Sequence, residues 1–134
     1  MPRRVRARSV SVSEARAYLA KADQYFAAAD DSLAAGRTIA ATSLAIHAAI
    51  NAADAVTGGR LGSRAAGEDH NQVLALLAQS GPDGAAVARD LTRLLPLKAR
   101  AEYDPDDVAP SIASRAVEQA RHCVAAARRV ISSL

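Results

Sequence analysis

Ser43, His47, Asn51 and Asp54 follow one another at steps of four, four and three. On a helix that spacing puts them on one face, beside an apolar rhythm made by Ile39, Ile46, Ile50 and Ala53. An imidazole in such a stripe can move protons near neutral pH. A second polar group closes the stretch "LKARAEYDPDDVAP", residues 97–110, where Arg100, Glu102, Tyr103 and Asp104 crowd the end of a helical segment. Arg100 offers a planar fork that holds a phosphate or a carboxylate. His70 stands apart, at the opening of another helical segment. His47, Asn51, Asp54, His70, Arg100, Glu102, Tyr103 and Asp104 are the candidate residues for a binding site or a variant catalytic site.

Each group also has a plainly structural reading. The stripe can be a solvated helix edge. It can equally be a buried network in which Arg100 pairs with Asp54 or Asn51, because buried polar groups need partners. The acids Glu102, Asp104, Asp106 and Asp107 precede the last helix, where negative charge favours the helix N-terminus, and Asp-Pro-Asp-Asp is good turn chemistry. Consecutive acids on a turn are caps far more often than a metal cage, and no Cys/His zinc spacing exists. No metal and no cofactor is expected. No Ser/His/Asp triad can be assembled from spacing.

The elements that must position these residues are helices. The chain has 134 residues, the size of one domain, is half hydrophobic, and contains one Phe, three Tyr and no Trp. Alanine, the best helix former, dominates, and β-branched runs are missing. Ser11 and Glu14 have capping-box spacing and open the first helix. Leu19, Ala22, Phe26, Ala29 and Leu33 supply its buried face, and Gly36 ends it. The second helix begins near Thr38 and is expected to end at Gly58-Gly59. The Gly-rich stretch 58–69 lacks the GxxxxGK[ST] phosphate motif and follows no strand, so it reads as a flexible interhelical loop. Asp69 and Gln72 resemble a second capping box, opening the third helix at His70. Asp83 can cap the next helix, which carries Val87, Leu91, Leu94 and Leu95. Pro96 should kink that helix by removing its bond to the Thr92 carbonyl, and Pro105 should stop it. Pro110 suits the first turn of the last helix, whose buried face is Ile112, Ala116, Val117, Ala120, Val124, Ala127 and Ile131.

The net charge is +3, from 17 bases and 14 acids. Arg3, Arg4, Arg6 and Arg8 hold four of the bases, so the remaining body is nearly neutral. Residues 1–10 are read as a disordered basic arm, and residues 11–134 as one helical domain. No 18-residue apolar run marks a membrane span, and the basic start lacks the apolar core of a secretory signal. Cys123 is alone, which excludes an internal disulfide and suits a reduced cytoplasm. Arg outnumbers Lys 15 to 2, as in G+C-rich bacterial genomes.

The order of these pieces resembles a HEPN domain, and within it small stand-alone proteins of actinobacterial type. The resemblance spans about residues 13–132 and rests on "AAINAADA", on His70 and on "RAEYD" before the last helix. It implies an all-α, four- to five-helix up-and-down bundle, commonly a homodimer. Many members are ribonucleases in toxin–antitoxin or defence systems; others bind RNA, nucleotides or partner proteins without catalysis. The nuclease branch places an Arg, then four to six intervening residues, then a His, near the start of the last helix. Counting from Arg100, those positions hold Pro105, Asp106 and Asp107, none of which replaces an imidazole near pH 7. Arg64–His70 and Arg115–His122 have suitable spacing, at the rate chance produces. The expectation is a non-catalytic module that dimerises and binds RNA, a nucleotide or a partner protein. The alternatives are a metal-independent ribonuclease toxin with a variant site, and a simple helical adaptor.

Overall fold

The computed structural model describes residues 6–67 and 69–134. In chain order the elements are β1 (Ala7–Ser9), α1 (Val12–Ala34), α2 (Thr38–Leu61), β2 (Ser63–Ala65), α3 (His70–Ala78), α4 (Gly81–Leu94), α5 (Pro96–Glu102) and α6 (Pro110–Ser132). The protein is an all-α bundle with one two-stranded antiparallel ribbon, β1–β2, at its edge. Taking α4 and α5 as one helix broken at Pro96 gives five helices among the described residues.

The local signals explain the helix boundaries. Ser11 Oγ accepts from the Glu14 amide and Glu14 Oε1 accepts from the Ser11 amide, each at 3.0 Å. At the other end of α1, Gly36 takes φ +76°. The Gly36 amide donates to Leu33 O and the Arg37 amide to Ser32 O, at 3.0 and 2.9 Å. This pair of bonds satisfies two orphan carbonyls and reverses the chain. Helix α1 is therefore laid back along α2.

Helix α2 is the axis of the molecule, packed by α1, α6, α4, α5 and α3 in turn. Its alanines 41, 45, 48, 49, 52, 53 and 55 are all buried, with Ile46 and Val56. Small side chains let helix axes approach to about 8 Å, so α2 is covered on nearly every side rather than along one stripe. The same alanines make α2 long and apolar enough to cross a membrane by composition alone, contrary to the expectation of no such segment. Its place at the centre of the bundle accounts for that composition.

Several expectations are corrected. The glycines 58 and 59 do not end α2, which continues to Leu61 and stops at Gly62, φ +66°. They allow close approach: a Cβ on Gly58 would meet Val10 Cγ1 at 2.7 Å, and one on Gly59 would meet Val130 Cγ1 at 2.8 Å. Residues 7–9 of the expected disordered arm form β1, and Val10 is buried; residues 1–5 lie outside the described residues. Phe26 and Leu33 are only half-buried, and Phe26 carries the Arg121 guanidinium 4.8 Å from its ring centre. Asp83 caps nothing. It joins Arg129 of α6 at 3.0 Å and Arg60 of α2 at 3.7 Å. Pro96 does break the helix, with α4 ending at Leu94 and α5 starting at the proline.

Candidate functional site

The ribbon builds one wall of the site. Its register is Ala7↔Ala65, Arg8↔Arg64 and Ser9↔Ser63, extended by bonds from the Val10 amide to Gly62 O and from the Ala66 amide to Arg6 O. The stretch read as a flexible loop is thus held by backbone pairing, and Arg64 with it. The Arg64 guanidinium lies 5.6 Å from the Tyr18 ring centre and donates to Ala65 O at 3.2 Å.

Between this ribbon, the middle of α2, the start of α3 and the end of α5 lies a cavity of about 300 Å³. Ile50 and Asp54 of α2, Arg64 of β2, His70 and Val73 of α3, and Lys98 and Tyr103 around α5 line it. His70 is the first residue of α3, fixed there because Asp69 Oδ1 accepts from the Asn71 amide at 2.9 Å. The Gln72 side chain does not complete the expected capping box; its Oε1 is buried without a hydrogen-bond partner among the described residues. Tyr103 is 77% exposed at the mouth. Burial pushes the Asp54 carboxyl up to about 6 from its ordinary 3.8, against the opposing pull of Arg64 and Lys21. A carboxyl so placed is half-neutral near pH 6.

The cavity gathers three of the eight candidates, Asp54, His70 and Tyr103. The others go elsewhere. His47 Nε2 stands 3.8 Å from Glu102 Oε1 and its ring lies 5.3 Å from Tyr25. Asn51 Nδ2 donates to His47 O, within its own helix, at 2.8 Å. Arg100 and Asp104 are exposed and make no ion pair within 4.0 Å among the described residues. The proposed pairing of Arg100 with Asp54 or Asn51 does not form.

The residues missed were Arg64 and Lys98. Lys98 stands two residues before Arg100, about 200° around the helix, and shares a face with buried Leu94 and Ala101. That apolar spacing was the available signal: the inward cation follows Leu94 by four and precedes Ala101 by three. The Arg64–His70 spacing, assigned to chance, brings both residues to this cavity. Arg115 and His122 are exposed on α6, with His122 facing Glu118 at 3.4 Å and Asp90 at 4.0 Å.

A larger opening of about 560 Å³ lies at the start of α2, lined by Arg37, Thr38, Ser43, Glu102 and Asp107 among others. Asp107 Oδ1 accepts from Thr38 Oγ1 at 3.2 Å and from its neighbour's amide, Val108 N, at 3.1 Å. The acids before α6 therefore do not cap that helix, whose N-cap position is Ala109 with no side-chain bond; Asp107 anchors the turn to α2 instead. Among the described residues no three His, Cys, Asp or Glu side chains cluster as metal ligands. Cys123 is buried, and burial with Asp90 nearby pushes its thiol far up, so it is inert at neutral pH.

Compared with known proteins, residues 15–134 match the family model described as HEPN domain. No curated protein matches the chain.

Proposed function

We propose that this chain, which belongs to the HEPN family, is a binding module for a phosphorylated nucleotide unit, free or within RNA, held in the cavity of Asp54, Arg64, His70 and Lys98. The observation that carries this reading is the convergence of Arg64, Lys98 and His70 on one small cavity with an exposed tyrosine at its mouth. Arginine and lysine bind phosphate by geometry and by charge respectively. An exposed aromatic face stacks a base, which is worth about 1–3 kcal/mol. About 300 Å³ lies at the small end of ligand pockets and suits one nucleotide unit. A helical adaptor would not need such a lining.

The module is read as non-catalytic because the window after Arg100 holds no imidazole and Arg100 itself is exposed and does not line the cavity. One observation favours a second reading, a metal-independent ribonuclease: Arg64 and His70 share the cavity with a carboxyl that titrates near pH 6, so a phosphate clamp and two proton-exchanging groups lie together. We propose a homodimer as the working form, the two-fold dimer being the commonest closed oligomer.

Calorimetric titration with uridine monophosphate tests the reading. Wild type should bind, and Arg64→Ala and Lys98→Ala should each weaken binding about tenfold or more. Unstructured RNA incubated with the protein in a chelator should stay intact. Cleavage abolished by His70→Ala with the fold retained would establish the ribonuclease instead.

A further inference from the structure

The ribbon carries a feature that the cavity alone does not use. Arg8 and Arg64 stand directly opposite each other in the antiparallel register. Cross-strand partners project from the same face, and like charges there are destabilising. Arg6 precedes Arg8 by two residues and falls on that face as well. Asp54 and Glu14 both feel the Arg64 charge, which offsets one member of the pair. Arg6 and Arg8 are exposed and have no acid within 4.0 Å among the described residues. The result is a cationic face two arginines long that begins at the cavity wall and leads outward.

We propose that this face is a phosphate track: a single-stranded RNA whose one nucleotide fills the cavity lays its neighbouring phosphates along Arg8 and Arg6. The inference rests on the reading of the cavity as a nucleotide site and adds to it a second set of contacts and a polymeric ligand. Like-charged residues held side by side on a paired backbone are preorganised for a polyanion, whose phosphates remove the repulsion that the free ribbon bears. Single-strand binders commonly join a stacking aromatic to a cationic path for the backbone. Tyr103 and the arginine face are those two parts here.

The variant Arg8→Glu separates this proposal from a merely structural role. It converts a repulsive cross-strand pair into an attractive one, so the melting temperature should rise or hold. Binding of a labelled oligouridine decamer should weaken about tenfold, while binding of uridine monophosphate stays within about twofold. With Arg8→Ala, the slope of log affinity against log salt should fall by about 0.7 for the decamer, the value of one lost phosphate contact on a single strand. If decamer and monophosphate both bind but Arg8→Glu leaves the decamer unchanged, the track is wrong and the cavity reading stands. If wild type binds neither ligand, the cavity reading fails and the track falls with it. If an oligoglutamate peptide of equal charge competes as well as the decamer and loses as much from Arg8→Glu, the surface receives an acidic protein partner and the RNA proposal is overturned.

Discussion

The two cavities along α2 differ in how their charges are settled. At the start of the helix, Glu102 meets His47 and Asp107 accepts from Thr38 and from the Val108 amide. Glu102, Thr38 and Asp107 there have partners within the chain, and of the charges lining that opening only the cation Arg37 lacks one, with no acid within 4.0 Å among the described residues. Around the middle of α2, Arg64, Lys98 and His70 converge with Asp54, the one carboxylate of the lining among the described residues. Burial moves that carboxylate away from its ordinary value in spite of two cations. A region that satisfies itself contributes structure. A region that keeps surplus positive charge and an uncomfortable acid is prepared for something from outside.

The largest expected effect tests that contrast at Asp54. Its folded-state value of about 6 lies above the ordinary 3.8, so the folded protein holds the proton more tightly than the unfolded chain does. The ionised carboxylate therefore costs stability, and the cost grows as pH rises from about 4 through about 6. Converted at 1.36 kcal/mol per unit, it reaches about 3 kcal/mol at pH 7. Asp54→Asn should recover most of that at pH 7 and nothing below pH 3.8, measured by urea unfolding across pH. Decamer RNA binding should also tighten as pH falls from 7 to 5, because a neutral Asp54 no longer repels phosphate, and the asparagine variant should flatten that profile. A loss of stability at pH 7 in Asp54→Asn would mean that the carboxylate is a satisfied structural group.

Next come the cations. Arg64→Ala and Lys98→Ala should each cost nucleotide affinity about tenfold, or about 1.4 kcal/mol, whereas Arg100→Ala should change it by less than about twofold. Parallel titrations of the three variants decide whether the cavity face or the exposed face of α5 binds. Equal losses from Arg100→Ala and Lys98→Ala would erase the distinction.

That pair of residues also shows where sequence reasoning reached its limit. The ends of α1, the break at Pro96 and the start of α6 at Pro110 were legible because each is a local matter of one cap or one ring. HEPN membership and the all-α bundle were legible from the order of such pieces. The site was not, for geometric reasons. From Ser43 to Asp54 the helix climbs roughly 16 Å, so one polar stripe serves two separate cavities. Gly58 and Gly59 look like a stop, and only Val10 and Val130, far away in sequence, reveal that they are contact points. Three-residue strands carry no readable alternation, so the register that sets Arg64 opposite Arg8 came only with the structure.

On the self-satisfied side, Thr38→Val should cost about 1 kcal/mol, the usual net worth of one hydrogen bond, by releasing Asp107 from the start of α2. Nucleotide affinity should not change. A tenfold loss in the same titration would mean that the turn before α6 belongs to the binding site.

The smallest expected effect is at Glu102. Its contact with His47 is 3.8 Å long, the imidazole side chain is 40% exposed, and the pair attracts only while the histidine is protonated. Exposed ion pairs are worth about 0–1 kcal/mol, and His47 keeps its contact with the Tyr25 ring whatever stands at position 102. Glu102→Gln should therefore move stability by less than about 0.5 kcal/mol and leave nucleotide affinity within about twofold. The small response would be informative, because Glu102 and His47 have the residue types of an acid–base pair and join the two polar groups of the sequence, the α2 stripe and the end of α5. If Glu102→Gln instead weakened binding about tenfold, or shifted the pH dependence of binding while Asp54→Asn did not, the site would lie at the start of α2, and the surplus charge around Arg64 would need another explanation.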